Sequence, residues 1–283
     1  MRLMPLPKQT LQCKDVSLDL ARPHIMGILN VTPDSFSDGG KYNHKEQALQ
    51  YALQMIKDGA TIIDIGGEST RPGATPVSVK EELQRVLPVV EALAQHDVII
   101  SVDTSEPEVI RQAVKKGAHI WNDVRALSRP DALAVAAELD IPVVIMHMRG
   151  EPTTMNQLAN YEDVVEEVLR ELTVRVEVAI AAGMRADNII IDPGFGFAKN
   201  ASHNLKLLQD FWRLNELGYP VLSALSRKRF IGEALEGAEV KDRIIGSVTA
   251  HLLSIQQGAS IVRVHDVKAT SDAIKIWCAT LSA

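Results

Sequence analysis

The chain has 283 residues, of which 46% are hydrophobic and 23% are charged, and its formal net charge is -6 at pH 7. This composition is typical of a globular protein with a full apolar core, and the length suits one α/β barrel. The acidic balance of 36 Asp and Glu against 30 Lys and Arg argues against a general nucleic-acid or anionic-membrane binder, because either would need a broad basic surface.

Two features bear on the cellular compartment. The N-terminal stretch "MRLMPLPKQT" lacks the continuous apolar segment of a signal peptide, and no run approaches the roughly 20 apolar residues of a membrane helix. Cys13 and Cys278 lie near opposite ends of the chain, so we expect two reduced, buried thiols rather than a disulfide. The sequence predicts a cytoplasmic protein with no membrane partner.

Short apolar runs rich in β-branched residues alternate with segments of helical period, of which 79–95 and 163–183 are the clearest. This alternation is typical of parallel βα units and predicts an α/β protein, a single-domain (β/α)8 TIM barrel over residues 1–283, with 1–23 as an N-terminal extension or cap. An open doubly wound sheet is the alternative, but no Gly-rich dinucleotide motif follows the first run. The predicted strands are 25–30, 61–67, 98–105, 119–124, 142–148, 188–194, 220–226 and 261–267.

Three of these units begin alike, with "DGATIID", "KGAHIWND" and "QGASIVRV". We expect each glycine to end the preceding helix in a left-handed conformation, with the strand starting directly after it. Pro142 and Pro220 open two further predicted strands, where a missing N–H does least harm.

Nearly every predicted strand ends in a polar or ionisable side chain. In a (β/α)8 barrel these carboxyl ends form the active site. A single such residue is often only a helix cap or turn former, and Asp64 is the first we would assign to structure. Eight strands with this feature are harder to explain by capping; the residues are Asn30, Asp64, Asp103, Asn122, His147, Asp192, Lys228, Arg263 and His265.

The residue types at these ends favour a heterocycle and an anion over a metal hydrolase. His24 is the histidine of the first strand, and it stands at the start, the wrong end for a catalytic ligand. Carboxylate, amide and lysine suit a flat ring with donor and acceptor edges. Arg263 and His265, together with Arg71 from the loop after the second strand, suit a phosphate or diphosphate.

The stretch "SRKRF", residues 226–230, places three basic residues in a row. It could be a solvated patch, a nucleic-acid contact or a cationic pocket for one anionic substrate. Three basic residues make no stripe that follows a phosphate backbone, which disfavours nucleic acid. A Schiff-base role for Lys228 stays open, but Arg227 and Arg229 beside it favour an anion pocket.

Eight segments, in order along the chain, resemble the dihydropteroate synthase family of the monofunctional bacterial kind. The resemblance covers the chain from about residue 25 to the end, and the long, unusual strings "NVTPDSFSDGG" and "GESTRPGA" make it specific. The segments are "ILNVTPDSFSDGG", "DIGGESTRPGA", "SVDTS", "NDVRALS", "VIMHMRGEPTTM", "DPGFGFAKN", "SRK" and "RVHDV".

The resemblance implies a TIM-barrel transferase, commonly a homodimer, that acts in folate biosynthesis. Such enzymes condense (7,8-dihydropterin-6-yl)methyl diphosphate with 4-aminobenzoate to 7,8-dihydropteroate and diphosphate, and sulfonamides compete with aminobenzoate. It further implies Mg²⁺ as cofactor, with Asn30 as its ligand. Because Mg²⁺ and arginine make diphosphate a good leaving group, a dissociative substitution is the expected course.

The resemblance also implies a role for each site residue. Asp192 would read the amino side of the pterin, Lys228 its oxo side, and Asp103 and Asn122 other ring heteroatoms. Residues 70 and 71 lie in a loop that would close over the anion. The diphosphate and catalytic groups implied are Lys228, Arg263, His265, Thr70 and Arg71, and the aminobenzoate contacts are Phe36, Pro72 and Arg229.

At position 229 the chain departs from the family, which has a small hydroxyl residue there. Arg229 would bind the aminobenzoate carboxylate beside a helix N-terminus, or turn to solvent and leave the backbone N–H groups to bind it. Two rival functions remain. A pterin-binding methyltransferase domain would have no use for Arg71, Arg263 and His265, and a non-catalytic pterin-binding protein would keep the barrel without turnover.

Overall fold

The computed structural model describes residues 10–32, 41–68, 77–151 and 153–281, with the backbone alone at 41–44. Strands and helices alternate along most of this length, as the sequence predicts. The strands are β1 (Thr10–Cys13), β2 (Val16–Asp19), β3 (His24–Asn30), β4 (Ile62–Gly66), β5 (Ile99–Asp103), β6 (Ile120–Asp123), β7 (Val143–Met146), β8 (Ile189–Asp192), β9 (Leu222–Ser223) and β10 (Ile261–Val264). The α-helices are α1 (Lys41–Asp58), α2 (Val79–Leu93), α3 (Pro107–Lys115), α4 (Ala132–Leu139), α5 (Val164–Ala181), α6 (Ala201–Gln209), α7 (Arg229–Ala234), α8 (Ile244–Gln256) and α9 (Val267–Leu281).

Strands β3 to β10 form one parallel sheet in the order β8-β7-β6-β5-β4-β3-β10-β9. A parallel bridge between Ile191 and Val221 joins its two outer strands, and the Ile191 N–H donates to the Pro220 carbonyl at 2.9 Å. This bridge closes the sheet into a ring and removes both free edges. The predicted (β/α)8 barrel is therefore confirmed, and the open sheet was the wrong alternative.

All eight predicted strands are present, and all except β3, which begins one residue earlier than predicted at His24, are shorter than their apolar runs. The seventh, β9, keeps only two residues because the chain leaves the ladder after Ser223 and turns through Arg227, which has a left-handed φ of 58°. The glycines of the three repeated units, at 59, 117 and 258, have φ values of 112°, 113° and 100°. They end their helices as predicted.

A β-hairpin of β1 and β2 closes the amino-terminal end of the barrel. Its buried side chains, Leu11, Cys13, Leu18 and Leu20, pack against one inward-facing residue from each barrel strand. We call this apolar layer the floor; its strand residues are Met26, Ile62, Ile99, Ile120, Val144, Ile190, Leu222 and Ile261. The predicted N-terminal extension or cap, residues 1–23, contains this hairpin, and the alternation of apolar residues at 11, 13, 16 and 18 is the sequence signal for its strands.

The hairpin is joined to the barrel by His24, at the start of β3. Its Nε2–H donates to the Asp19 carbonyl at 2.7 Å, which gives this histidine a structural role. Burial raises the pKa of Cys13 to about 12, so its thiol stays protonated, while Cys278 is only half-buried and forms no disulfide with it. Among the helices of the described ranges, none is both long and apolar enough to span a bilayer.

Candidate active site

The carboxyl ends of the barrel strands carry polar side chains in the same inward-facing columns that are apolar at the floor. The ladder places Asn30 beside Gly66, Gly66 beside Asp103, and Asp103 beside Asn122. Inward-facing residues recur every second position, so these side chains belong to one layer. We call this layer, with Asp192, Lys228, Arg263 and His265, the mouth.

Arg263 of β10 forms two ion pairs at the mouth. Its Nε lies 2.6 Å from Oδ2 of Asp64, and its Nη2 lies 2.6 Å from Oδ2 of Asp103. The Arg263 side chain keeps 19% of its surface exposed, so part of the guanidinium still faces the opening. Burial raises the pKa of Asp103 to about 7, although Arg263 opposes that rise.

Asp64 holds other mouth residues in place rather than capping a helix. Its side chain is fully buried, and besides Arg263 it accepts hydrogen bonds from Ser101 Oγ at 2.6 Å and Asn122 Nδ2 at 3.0 Å. A buried carboxylate needs such donors. Asp64 thereby orients Asn122, whose amide oxygen is the acceptor left for a ligand.

Asp192 and Lys228 lie close enough at the mouth for their charges to affect each other. Asp192 ends β8 and accepts a hydrogen bond from the Gly194 N–H at 2.7 Å. Burial raises the pKa of Asp192, while the Lys228 ammonium opposes that rise. Lys228 donates to the Phe195 carbonyl and lies 4.6 Å from the centroid of the Phe197 ring. Burial lowers the pKa of Lys228 to about 8.

The three consecutive basic residues diverge. Arg227 pairs with Asp266, with Nε–Oδ2 and Nη2–Oδ1 distances of 2.8 and 2.5 Å. Arg229 opens α7 with 72% of its side chain exposed and lies 3.0 Å from Glu233. Only Lys228 of the three enters the mouth. The contact of Arg229 with aminobenzoate therefore stays a prediction.

His265 and Asn30 come from the ends of two neighbouring strands, β10 and β3. His265 directly follows β10, and its Nδ1 and backbone N lie 2.9 and 3.1 Å from Ser226 Oγ. Asn30 Oδ1 and Asp103 Oδ2 border the bare face of Gly66, where an added Cβ would lie 3.7 and 3.8 Å from them.

The oxygens around Gly66 fit a hard cation that takes few protein ligands and completes its shell with substrate and water. Among the described residues no cluster of three or more His, Cys, Asp or Glu could hold a metal unaided. The fit therefore depends on an anionic substrate. Asn30 is the residue that would hold such a cation.

Four predicted site residues, Phe36, Thr70, Arg71 and Pro72, lie outside the described residues. The loop that contains the last three begins at Gly67, and Arg85 Nη1 of α2 donates to the Gly67 carbonyl at 2.7 Å. The first described part of this loop is thus tied to a helix.

Lys199, which is 4% exposed and lies close to Asp192, is not among the residues predicted from the sequence. The available signal was its position in "DPGFGFAKN". A lysine in a Gly- and Phe-rich turn between a strand end and a helix is expected to be shielded from solvent. His147, a predicted strand-end residue with no assigned role, directly follows the neighbouring strand β7.

Residues 26–265 match the family model described as "Pterin binding enzyme". The chain is 53% identical over 268 residues to dihydropteroate synthase of Escherichia coli, and the match covers 94% of this chain and 95% of that protein. A structure of Xanthomonas albilineans dihydropteroate synthase with 4-aminobenzoic acid superposes with a TM-score of 0.92 at 50% identity, covering 98% of this chain and 100% of that one. Another, in complex with 7,8-dihydropteroate, has a TM-score of 0.89 at 48% identity and covers 97% and 99%.

Proposed function

Because this chain belongs to the pterin-binding enzymes and, within them, to the dihydropteroate synthases, we propose that the mouth of its barrel is where the family's reaction takes place. The enzyme is a transferase that joins (7,8-dihydropterin-6-yl)methyl diphosphate to 4-aminobenzoate, with 7,8-dihydropteroate and diphosphate as products. The oppositely charged pair of Asp192 and Lys228 is the observation that carries the assignment of the pterin site.

Asp192 and Lys228 match the two edges of a pterin. The 2-amino group and adjacent ring N–H need an acceptor, which the Asp192 carboxylate supplies, and the 4-oxo group needs a donor, which the Lys228 ammonium supplies. Asn122, held by Asp64, offers its amide oxygen to a further ring nitrogen. Asp103 flanks the same space. These groups would orient the ring with its methylene toward Arg263.

Arg263 and His265 hold the diphosphate in this proposal, assisted by Arg71 and Thr70 of the loop after β4. Arg263 is already fixed by two carboxylates, so it meets the anion without losing side-chain freedom. Asn30 would hold Mg²⁺, which supplies charge neutralisation of the leaving diphosphate when bound. Lys228, Arg263, His265 and Arg71 are the catalytic residues that we propose.

The substitution itself needs little proton transfer from the protein. Once the diphosphate charge is neutralised, its bond to the methylene breaks, and the electron-rich pterin held by Asp192 stabilises the positive charge that develops there. The aminobenzoate amine then attacks the methylene and loses one N–H proton to the departing diphosphate or to water, with Phe36, Pro72 and Arg229 as its proposed neighbours. Positioning and electrostatics account for most of the catalysis.

We also propose that the enzyme is a homodimer and works in the cytoplasm. Two isoleucines on the helices α8 and α9 support the dimer, because Ile245 is 81% exposed and Ile276 is 70% exposed, and a second copy would cover them. Sedimentation of the wild type should give a dimer, and Ile245→Lys should shift it to monomer. A wild type that sediments as a monomer would refute the dimer.

The decisive experiment measures diphosphate release with and without 4-aminobenzoate in the wild type, Asp192→Asn and Asp187→Asn. Release that depends on aminobenzoate separates a synthase from a methyltransferase domain and from a binding protein. Asp192→Asn should lower kcat/KM for the pterin diphosphate about 10- to 1000-fold. Asp187 lies before the same strand, at the floor end, and pairs with Arg185 at 2.6 Å, so Asp187→Asn should behave as wild type. An unchanged kcat/KM in Asp192→Asn would overturn the proposed pterin site.

A further inference from the structure

We propose that Lys199 is a positioning residue whose buried ammonium fixes the loop of residues 193–198 and thereby holds Asp192 and Lys228 in the arrangement that reads the pterin. This inference rests on the proposed function and adds to it a residue that does not touch the substrate. His147 and Glu171 belong to the same hydrogen-bond network. His147 accepts from the ammonium, and Glu171 holds the His147 ring.

The Lys199 ammonium has three acceptors, which matches its three N–H donors. It lies 3.0 Å from the Gly194 carbonyl, 3.1 Å from the Phe197 carbonyl and 2.8 Å from Nδ1 of His147. Lys199 is 4% exposed, and burial lowers its pKa to about 7, so its charge is present below that pH and depends on such partners. All three bonds are made inside the fold, so none is left for a ligand.

His147 connects Lys199 to an acidic residue, Glu171. Burial lowers the pKa of His147 to about 4, so its ring is neutral near pH 7 and carries one N–H. Since Lys199 is a donor, Nδ1 is the acceptor and Nε2 carries the hydrogen, which it donates to Glu171 Oε2 at 3.0 Å. Arg149 also pairs with Glu171, and these bonds fix the ring on α5.

The loop of residues 193–198 lies between two lysines. Lys199 donates to two of its carbonyls. Lys228 donates to the Phe195 carbonyl and packs its side chain on Gly196, where a Cβ would lie 3.0 Å from Lys228 Cδ. At Gly194, whose φ is 67°, a Cβ would lie 1.9 Å from the His147 carbonyl oxygen. The loop therefore has little room to shift. Its Phe195 carbonyl holds Lys228 and its Gly194 N–H holds Asp192, so the position of the loop sets where both charged groups of the pterin site lie.

The charge of Lys199 also acts on Asp192. Burial raises the pKa of Asp192, and the lysines at 228 and 199 oppose that rise. Arg263 acts in the same direction from β10. A neutral residue at 199 should therefore leave Asp192 protonated at a higher pH, in the form that cannot accept from the pterin amino group. The charged or titratable groups around Lys199 itself are Asp192, Lys228, Glu171, Arg149, His147 and His203.

The test compares wild type, Lys199→Met, Lys199→Gln and Lys206→Met. Met removes donor and charge, and Gln removes the charge but keeps an amide donor, so it serves if the Met variant does not fold. Lys206 lies on the adjacent helix α6 and is half exposed beside Asp210, which makes it the matched control. Binding of 6-hydroxymethylpterin is followed by fluorescence from mildly acidic to neutral pH, together with thermal unfolding and KM for both substrates.

We expect the Met variant to lower kcat/KM for the pterin diphosphate about tenfold or more and to leave the KM for aminobenzoate nearly unchanged. In both neutral variants the acid limb of pterin binding should move to higher pH by about one unit. Asp103 also titrates in this range, but it does so equally in all four proteins. The control should match the wild type.

Two results would overturn the proposal. One is a pair of neutral variants whose acid limb coincides with that of the wild type. The other is a loss that raises both KM values and lowers the unfolding temperature together, which marks a purely structural residue. Failure of the proposed function itself would look different, since the wild type would then not bind the pterin at all.

Discussion

The two ends of the barrel use the same inward-facing columns of side chains for opposite purposes. At the floor each strand contributes an apolar residue, and the hairpin residues Leu11 and Leu18 fill the space beneath them. At the mouth, two or four positions further along the same strands, the columns end in Asn30, Asp103 and Asp192. The apolar floor fixes the strands, and the opposite charges of the mouth lie at the other end of those strands, where the active site of a (β/α)8 barrel forms.

The charged groups of the mouth are therefore expected to matter for activity, and the floor for stability alone. Four changes test this division, from the largest expected effect to the smallest.

The largest effect is expected at Arg263. Arg263→Met leaves Asp64 and Asp103 without their shared cation, and Asp64 is fully buried, so the free energy of unfolding should fall by about 3–5 kcal/mol and turnover should be lost. Arg185→Met, at the exposed pair with Asp187 near the floor end, should change neither. Chemical unfolding and a turnover assay check both variants. A stable, active Arg263→Met would show that the two carboxylates do not depend on it.

At the floor, Leu11→Ala should affect stability alone. Leu11 is 1% exposed, so its truncation leaves a cavity under the strands and should cost about 2–5 kcal/mol. The unfolding free energy should fall while the KM for the pterin diphosphate stays at its wild-type value at a temperature where the protein is folded. A raised KM would mean that the floor and the mouth are mechanically coupled.

The pH dependence of pterin binding should report Lys228. Burial lowers its pKa to about 8, so the ammonium that we propose as the donor to the oxo group is present below that pH and is lost as pH rises through it. In the free enzyme, kcat/KM for the pterin diphosphate should therefore fall on the alkaline side near pH 8. Lys228→Met should lose this limb together with most of the activity. A limb that persists in the variant would belong to another group.

The smallest effect is expected at Arg229. Its side chain is 72% exposed and pairs with Glu233, so Arg229→Ser should change the KM for aminobenzoate by no more than a few-fold, about 1 kcal/mol at most. An unchanged KM removes Arg229 from the site, and a rise of tenfold or more would place it against the aminobenzoate carboxylate. The matched variant Glu233→Gln frees the guanidinium and should lower that KM if the contact forms.

The sequence predicted the strands and most mouth residues because parallel strands bring their carboxyl ends together whatever the details of packing. Asp103, Asn122 and Asp192 needed no more than that rule. The partners of Arg263 could not be predicted from the sequence. Asp64 lies 199 positions away in the chain, and nothing in its own segment distinguishes it from a helix cap.

Lys199 and Arg229 also show that local sequence does not determine whether a side chain is buried or exposed. Both are basic residues beside a strand end, yet one is buried beneath the loop of residues 193–198 and the other is exposed on α7. Side-chain direction after a tight turn depends on backbone angles such as the left-handed φ of Arg227, and local sequence does not determine these angles for a non-glycine residue. The family resemblance supplied roles for the mouth residues, but it gave none to Lys199.

A crystal structure of the protein with bound 6-hydroxymethylpterin would test the central claim most directly. The ring should lie at the mouth with its 2-amino group and ring N–H within about 3.2 Å of the Asp192 carboxylate and its oxo group at the same range from Lys228 Nζ. A ring bound away from both side chains, in an otherwise active enzyme, would contradict the account.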